Sequence, residues 1–205
     1  MPSIAITGGI ATGKSVATKF LAEHLNVSAF DADLEVSHLL DYDPEVAQEM
    51  ITTFGPAIYD GQKKANRVCL RAYLIENPHN KKKLEEILHP RLRRQWLPQA
   101  QQAKGKAQPL FLAELPLLYE NSLEGYFDHV IVVAASEQIQ WQRLVTQRQL
   151  SSKVASALLQ LQWPLLEKVT RATQLIWNDG KILIFHEQLK MAMTSICTRS
   201  ANGHS

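Results

Sequence analysis

An eight-residue segment near the start of the chain has the composition and spacing of a phosphate-binding loop. Residues Gly8–Ser15 read GGIATGKS and fit the pattern G-x-x-x-x-G-K-[S/T]. Glycines let the backbone curl so that successive N–H groups face an anion, and a following helix adds the positive end of its dipole. In such a loop the lysine, here Lys14, reaches the β- and γ-phosphates, and the hydroxyl, here Ser15, ligates magnesium. The segment therefore predicts binding of ATP with Mg²⁺.

The segments around this loop predict the elements that the motif requires. Ser3–Thr7 is short, apolar and rich in β-favouring residues, and the sequence after the loop has helical periodicity. Apolar runs of the kind found in buried parallel strands recur along the chain. Strands separated by helical stretches predict an α/β fold, a parallel five-stranded sheet flanked by helices. The further strand candidates are Val27–Phe30, Pro109–Ala113, His129–Ala134 and, more weakly, Gln174–Trp177.

The long interval between the second and third strand candidates contains several amphipathic helical patterns and no convincing strand. We therefore expect one domain, residues 1–205, with a core formed by residues 1–33, 109–136 and 170–205. Residues 34–108 are predicted to form a helical lobe that holds a phosphoryl acceptor. Residues 137–169, helical by pattern and rich in glutamine, are predicted to form a helical lid.

Composition and charge exclude several classes of protein. Hydrophobic residues make up 45% of the chain and charged residues 20%, values ordinary for a globular protein. A net charge of +2 is too small to indicate general binding of nucleic acid or anionic membrane. The start of the chain lacks the features of a signal peptide, and Cys69 and Cys197 show no metal-ligand spacing. We expect a cytoplasmic monomer with reduced thiols.

The pattern of acidic residues favours a kinase for a small molecule over other proteins with this loop. The motifs Asn-Lys-x-Asp and Asp-x-x-Gly, typical of GTPase switches, do not occur in the sequence. In a small-molecule kinase one carboxylate takes the proton of the acceptor hydroxyl. Asp33, just beyond the second strand at the edge where α/β folds bind ligands, is the candidate. Asp31 shares its strand face if the extended conformation persists, although either residue could instead cap a helix beginning near Leu34.

Longer blocks of the sequence carry a family resemblance. TGGIATGKS followed by FDADLEVSHLL closely resembles the opening of the dephospho-coenzyme A kinases, and later blocks agree in order as far as about Gly180. The resemblance implies transfer of the ATP γ-phosphoryl group to the ribose 3′-hydroxyl of dephospho-coenzyme A. The later blocks are Asn66-Arg67-x-x-Leu70-Arg71, LEEILHP (84–90), LPLLYE (115–120), Gln138 with Arg143 and Arg148, and IWNDG (176–180).

The resemblance also implies roles for single residues. Asp33 would be the general base, Lys14 and Arg148 would stabilise the transferring group, and Ser15 would hold magnesium with indirect help from Asp33 and Glu114. The acceptor would be contacted by Asp31, Arg71, His89, Pro116, Leu117 and Leu118. ATP would be contacted by Gly8, Gly9, Ile10, Ala11, Thr12, Gly13, Lys14, Ser15, Val16, Arg143 and Asn178. Two simpler interpretations stay open: His89 could merely end a helix, and Arg67 with Arg71 could form a solvated face.

The sequence departs from the family pattern at a few positions. Ala11 stands where a glycine is usual, Val16 where threonine is, and Glu114 where aspartate is. Leu158 and Thr173 replace a usual Arg and Asp. Because Lys14, Ser15 and Asp33 are intact, we expect activity with altered nucleotide affinity. The alternatives are a kinase for another nucleoside or nucleotide, and an ATP-binding protein without catalysis.

Overall fold

The computed structural model describes residues 2–61, 64–103, 110–160 and 163–202. The chain divides into two compact units, one formed by residues 1–31 and 97–205 and the other by residues 32–96. Within the described residues, no helix combines the length and apolar character that a membrane crossing requires. Both cysteines are free thiols.

The first unit is built on a parallel sheet of five strands, as the sequence predicts. The strands are β1 (Ser3–Gly8), β2 (Ala29–Asp31), β3 (Phe111–Glu114), β4 (His129–Ala134) and β5 (Gln174–Trp177). Their order in the sheet is β2-β3-β1-β4-β5, so β1 lies in the centre. Every residue of β1 is buried, which explains why its sequence is apolar instead of alternating. Because all strands are parallel, the loops after β1, β2 and β3 leave from the same edge.

Two of the strands differ in their bounds from the sequence prediction. β2 begins at Ala29 instead of Val27, because Asn26 takes a left-handed conformation that ends the preceding helix. The N–H of Val27 then donates to the carbonyl of Ala22 at 3.0 Å, so Val27 belongs to the helix cap. β3 extends to Glu114, and Pro109, predicted to start it, lies outside the described residues.

Helices cover the sheet and close the core of the first unit. α1 (Lys14–Leu25) and α9 (Ile182–Asn202) supply Leu21, Phe185 and Leu189 to a cluster with Ile4 and Ile6 of β1. Burying such side chains contributes about 1.5–3 kcal/mol each, so this cluster anchors β1 and the loop that follows it. The segment predicted as a lid contains α6 (Glu137–Thr146), α7 (Ser152–Gln160) and α8 (Leu165–Thr170).

In the described residues of the second unit, helices joined by short loops form the secondary structure, apart from an isolated bridge between Tyr59 and Ala65. Asp43 caps α3 (Pro44–Phe54) by accepting hydrogen bonds from the N–H groups of Glu45 and Val46. Arg91 joins α5 (Pro78–Ala103) to α3 through Glu49, with 2.7 Å between the guanidinium and the carboxylate. The helices are α2 (Ala32–Tyr42), α3 (Pro44–Phe54), α4 (Arg67–Glu76) and α5 (Pro78–Ala103), the last of which continues into the first unit.

Candidate active site

The loop between β1 and α1 has a backbone that only glycine accommodates at two positions. Gly8 and Gly13 both have positive φ, at 150° and 102°. A Cβ on Gly8 would collide with the carbonyl of Val133, and one on Gly13 with the side-chain amide of Asn178. The glycine spacing in the sequence therefore reflects both the turn of the loop and the close approach of its neighbours.

Side chains of the loop fold back onto its own backbone. The Lys14 ammonium donates to the carbonyl of Gly9 at 2.8 Å, and the Thr12 hydroxyl donates to the same oxygen at 2.9 Å. Lys14 is only 8% exposed, whereas Ile10 is half-buried and Val16 is exposed on α1. The cation is thus held inside the loop, where an anionic ligand could replace the carbonyl as its partner.

Arg143 and Asn178 reach the loop from two separate elements. The Arg143 guanidinium donates to the carbonyls of Ala11 (3.0 Å), Thr12 (3.2 Å) and Asn178 (2.7 Å). The Asn178 amide donates to the carbonyl of Thr12 at 2.8 Å. Burial lowers the pKa of Arg143, an effect opposed by nearby Asp179. Both residues predicted to bind ATP therefore hold the backbone of the loop through its carbonyl groups.

Gln140 is a residue of this region that the sequence did not single out. Its side chain is buried, and its amide donates to the carbonyl of Ala135 at 2.9 Å. A Cβ added to Gly9 would lie 2.6 Å from the Gln140 Oε1. Its position three residues before Arg143 could have indicated Gln140 from the sequence, because that spacing puts both residues on one face of α6.

A pair of carboxylates lies at the ends of β2 and β3. Asp31 and Glu114 are direct partners in the parallel register of these strands. The Ser15 hydroxyl donates to Glu114 Oε1 at 2.8 Å. Glu114 is 1% exposed, and its Oε2 has no hydrogen-bond partner among the described residues. Burial raises the pKa of Glu114, as does the neighbouring Asp31, whereas the bond from Ser15 lowers it.

These oxygens fit a magnesium ion. Mg²⁺ prefers oxygen ligands, keeps several waters and is commonly bound by one or two carboxylates together with substrate phosphates. The described residues contain no group of three or more His, Cys, Asp or Glu side chains placed to hold a metal. A site formed by one hydroxyl, two carboxylates and a nucleotide needs no such group, and the Oε2 of Glu114, to which no described residue donates a hydrogen bond, suits it.

Asp33 lies in a helix and not in an extended segment after β2. β2 ends at Asp31 and α2 begins at Ala32, so Asp33 is an exposed residue in the first turn of α2. Asp31 and Asp33 would share a strand face only if the extended conformation persisted, and it does not, because the helix begins immediately after Asp31. Asp33 also does not cap a helix starting near Leu34, since it is already helical.

Two acceptor candidates, Arg71 and His89, belong to the second unit. Both are half-buried, on α4 and α5 respectively. Burial, with a smaller contribution from Lys81, lowers the pKa of His89, which favours a neutral imidazole. Arg67, one turn before Arg71, pairs with Asp41 at 3.1 Å and therefore does not form a purely solvated face.

The remaining candidates lie in the first unit. Pro116 and Leu117 are half-buried, whereas Leu118 is fully buried. The carbonyl of Pro116 accepts hydrogen bonds from Thr7 (3.3 Å) and Lys168 (3.2 Å). Arg148 is exposed in the turn that follows α6.

The sequence is similar to that of a known protein family over most of its length. The dephospho-CoA kinase family model matches residues 3–183. The chain belongs to this family. The dephospho-CoA kinase of Geobacillus kaustophilus is 32% identical over 87% of this chain and 88% of its own length. That of Thermosynechococcus vestitus is 32% identical over 98% and 97%.

Solved structures agree with membership of the dephospho-CoA kinase family. A Thermus thermophilus protein superposes with a TM-score of 0.76 at 28% identity, covering 94% of this chain and 96% of its own. The dephospho-CoA kinase from Campylobacter jejuni gives a TM-score of 0.57 at 27% identity, covering 95% and 96%. Shikimate kinase from Acinetobacter baumannii, with a TM-score of 0.56 at 15% identity over 97% and 94%, shares the P-loop kinase fold.

The structure shows the surroundings of three residues that depart from the pattern of the dephospho-CoA kinase family. Thr173 precedes β5, and its hydroxyl accepts the N–H of Val130 at 3.0 Å, a bond that an aspartate could also accept. That is the amino end of the sheet, opposite the phosphate loop. Ala11 takes a left-handed φ of 56°, which costs about 1–2 kcal/mol for a residue other than glycine. Leu158 is half-buried on α7, and the neighbouring Gln162 of that block lies outside the described residues.

Proposed function

We propose that the protein transfers the γ-phosphoryl group of ATP to the ribose 3′-hydroxyl of dephospho-coenzyme A, the last step of coenzyme A synthesis. The family match over residues 3–183 carries this proposal, because it spans the phosphate loop and the whole second unit. The presence of Lys14, Ser15 and Asp33 supports an active enzyme over a protein that only binds ATP.

The first part of the proposal concerns ATP. A phosphate oxygen carries more negative charge than the Gly9 carbonyl, so it would replace that carbonyl as the partner of Lys14. Arg143 and Asn178 hold carbonyls of the loop, which leaves its N–H groups to face the phosphates. The other ATP contacts would come from residues 8–16 of the loop.

The second part concerns magnesium, which when bound would neutralise charge on the β- and γ-phosphate oxygens. Ser15 would ligate it, while Asp31 and Glu114 would hold it directly or through water, with indirect help from Asp33. The hydrogen bond from Ser15 to Glu114 keeps the two oxygens together, which supports this assignment.

The third part concerns the transfer itself. The ribose 3′-oxygen forms a bond to the γ-phosphorus as the bond from that phosphorus to the bridging oxygen of ADP breaks. Asp33 takes the proton of the 3′-hydroxyl, and its side chain is exposed in the first turn of α2. Arg148 would stabilise the transferring group once the lid segment closes. Dephospho-coenzyme A would be held by Asp31, Arg71, His89 and Pro116–Leu118.

The proposal extends to a cytoplasmic monomer that takes neither nucleic acid nor membrane as a partner. Its support is the use of ATP as co-substrate and the net charge of +2, which provides no strong general attraction to polyanions. Sedimentation equilibrium with and without MgATP would measure the oligomeric state, and a dimer would contradict this part alone.

The decisive experiment is an acceptor screen with purified protein and MgATP. We expect ADP release to depend on dephospho-coenzyme A and the product to carry a 3′-phosphate. Coenzyme A is the matched control acceptor, because its 3′-position is already phosphorylated. Stimulation by a nucleoside or nucleotide instead would identify another kinase. ATP binding with no acceptor-dependent turnover would identify a protein without catalysis.

A further inference from the structure

Lys168 of α8 carries a charge that is completely enclosed in the first unit. Its side chain is 0% exposed, and its ammonium lies 2.7 Å from Glu120 Oε1. The same nitrogen donates to the carbonyl of Pro116 at 3.2 Å and to that of Gly8 at 3.5 Å. A buried charge is costly unless it is paired and hydrogen-bonded, so three oxygens around this ammonium account for its place in the fold.

The carbonyls of Gly8 and Pro116 belong to segments that are expected to bind different substrates. Gly8 ends β1 and opens the phosphate loop, whereas Pro116 lies in the segment after β3 that is expected to contact the acceptor. β1 and β3 are parallel neighbours, and the Thr7 hydroxyl also donates to the Pro116 carbonyl, at 3.3 Å. One ammonium therefore links the first residue of the nucleotide site to the acceptor segment.

The ion pair with Glu120 does not by itself explain why a lysine occupies this position. Glu120 Oε1 also accepts a hydrogen bond from the backbone N–H of Trp163 at 3.4 Å, and Oε2 is buried without a hydrogen-bond partner among the described residues. Replacing a buried ion pair by apolar side chains of similar volume is often neutral or stabilising. An apolar side chain could not hold the carbonyls of Gly8 and Pro116. The carbonyl contacts are thus what the lysine adds.

We propose that Lys168 is a positioning residue for phosphoryl transfer, which fixes the spacing between the phosphate loop and the Pro116 segment. Glu120 neutralises the charge that this requires. The inference rests on the proposed function, since it needs both segments to serve one reaction. Small errors of position in such a site lower turnover strongly, by about a hundredfold for a displacement of 1 Å.

The test separates positioning from stability with a double variant. Lys168→Met alone leaves Glu120 buried without its cation, so we expect it to lower the melting temperature. Lys168→Met combined with Glu120→Gln removes both charges and should recover much of that loss. If Lys168 positions the site, the double variant still shows kcat with dephospho-coenzyme A lower by about tenfold to a hundredfold. Its Kd for MgATP should rise by about threefold to tenfold, because the Gly8 contact is also lost.

The matched control removes a surface pair of the same kind. Lys190 and Glu187 pair at 2.8 Å on α9, and Lys190→Met with Glu187→Gln should keep wild-type kcat and Kd. The inference is overturned if the folded Lys168 double variant has both constants within about twofold of wild type. If wild-type protein shows no turnover with dephospho-coenzyme A, the proposed function fails. The MgATP affinity of the double variant then decides the inference by itself, and an unchanged Kd overturns it.

Discussion

The phosphate loop and the second unit hold their candidate residues in different ways. In the loop, side chains from separate elements bind backbone carbonyls, as Arg143 does from α6 and Asn178 from the segment after β5. In the second unit, Asp33 is exposed and Arg71 and His89 are half-buried on helix faces. The backbone of the loop is therefore fixed by the fold before ATP binds. The acceptor candidates instead depend on side-chain conformations that the acceptor itself would select.

The comparison predicts that the largest loss of activity comes from the loop. Lys14→Ala removes the cation expected at the β- and γ-phosphates, so we expect kcat to fall by about a thousandfold or more, with weaker MgATP binding. Steady-state kinetics and calorimetric titration with MgATP measure the two effects. Lys19→Ala, which removes an exposed cation of the same helix, is the control. A Lys14→Ala enzyme with nearly normal kcat would show that the loop only binds the nucleotide.

A change in the second unit should affect the chemical step and leave ATP binding intact. For Asp33→Asn we expect kcat to fall by about a hundredfold to ten-thousandfold, the usual contribution of a general base, with little change in the Kd for MgATP. Single-turnover kinetics with saturating dephospho-coenzyme A give the rate of the chemical step. Glu35→Gln, in the same first turn of α2, is the matched control. Near-normal transfer by Asp33→Asn would assign the proton to another group.

The same contrast explains what the sequence could predict. The loop, β4 and β5 were predicted with their observed bounds or nearly so, because glycine spacing and apolar runs are local signals. The start of α2 was not, because extended backbone continuing to Asp33 and a helix starting at Ala32 fit the same few residues. The sheet order brings Arg143 to Ala11 and Lys168 to Gly8, across 132 and 160 positions of the chain. No local pattern carries those contacts.

An intermediate effect is expected at the edge of the sheet, where the proposed magnesium ligands lie. Glu114→Gln should raise the Mg²⁺ concentration needed for half-maximal activity by about tenfold, because an amide holds the cation less strongly than a carboxylate. Activity titrated with Mg²⁺ at saturating ATP measures this shift. Glu137→Gln, an exposed residue in the first turn of α6, is the control. An unchanged Mg²⁺ requirement would remove Glu114 from the site.

The difference in stability between Glu114→Gln and wild type should depend on pH. Burial raises the pKa of Glu114 in the folded protein above its ordinary value of 4.5. Its contribution to stability is therefore fully present below that value and is lost as the pH rises through the raised pKa. Without Mg²⁺, the unfolding free energy of Glu114→Gln should therefore increase relative to that of wild type as the pH rises from 4.5 through the raised pKa. Chemical denaturation at a series of pH values checks the sign, and a difference that does not change with pH would contradict it.

The smallest effect is expected at the opposite end of the sheet and tests whether a family departure concerns the nucleotide. Thr173→Val removes the acceptor of the Val130 N–H while keeping the side-chain shape, so the unfolding free energy should fall by about 1 kcal/mol. Thr173→Ser keeps the hydroxyl and should retain most of the stability. The KM for ATP should not change in either variant, because this bond lies at the amino end of β4, away from the phosphate loop. A higher KM for ATP in Thr173→Val would show that the amino end of the sheet also influences the nucleotide site. The phosphate loop would then be less independent of the rest of the fold than its contacts indicate.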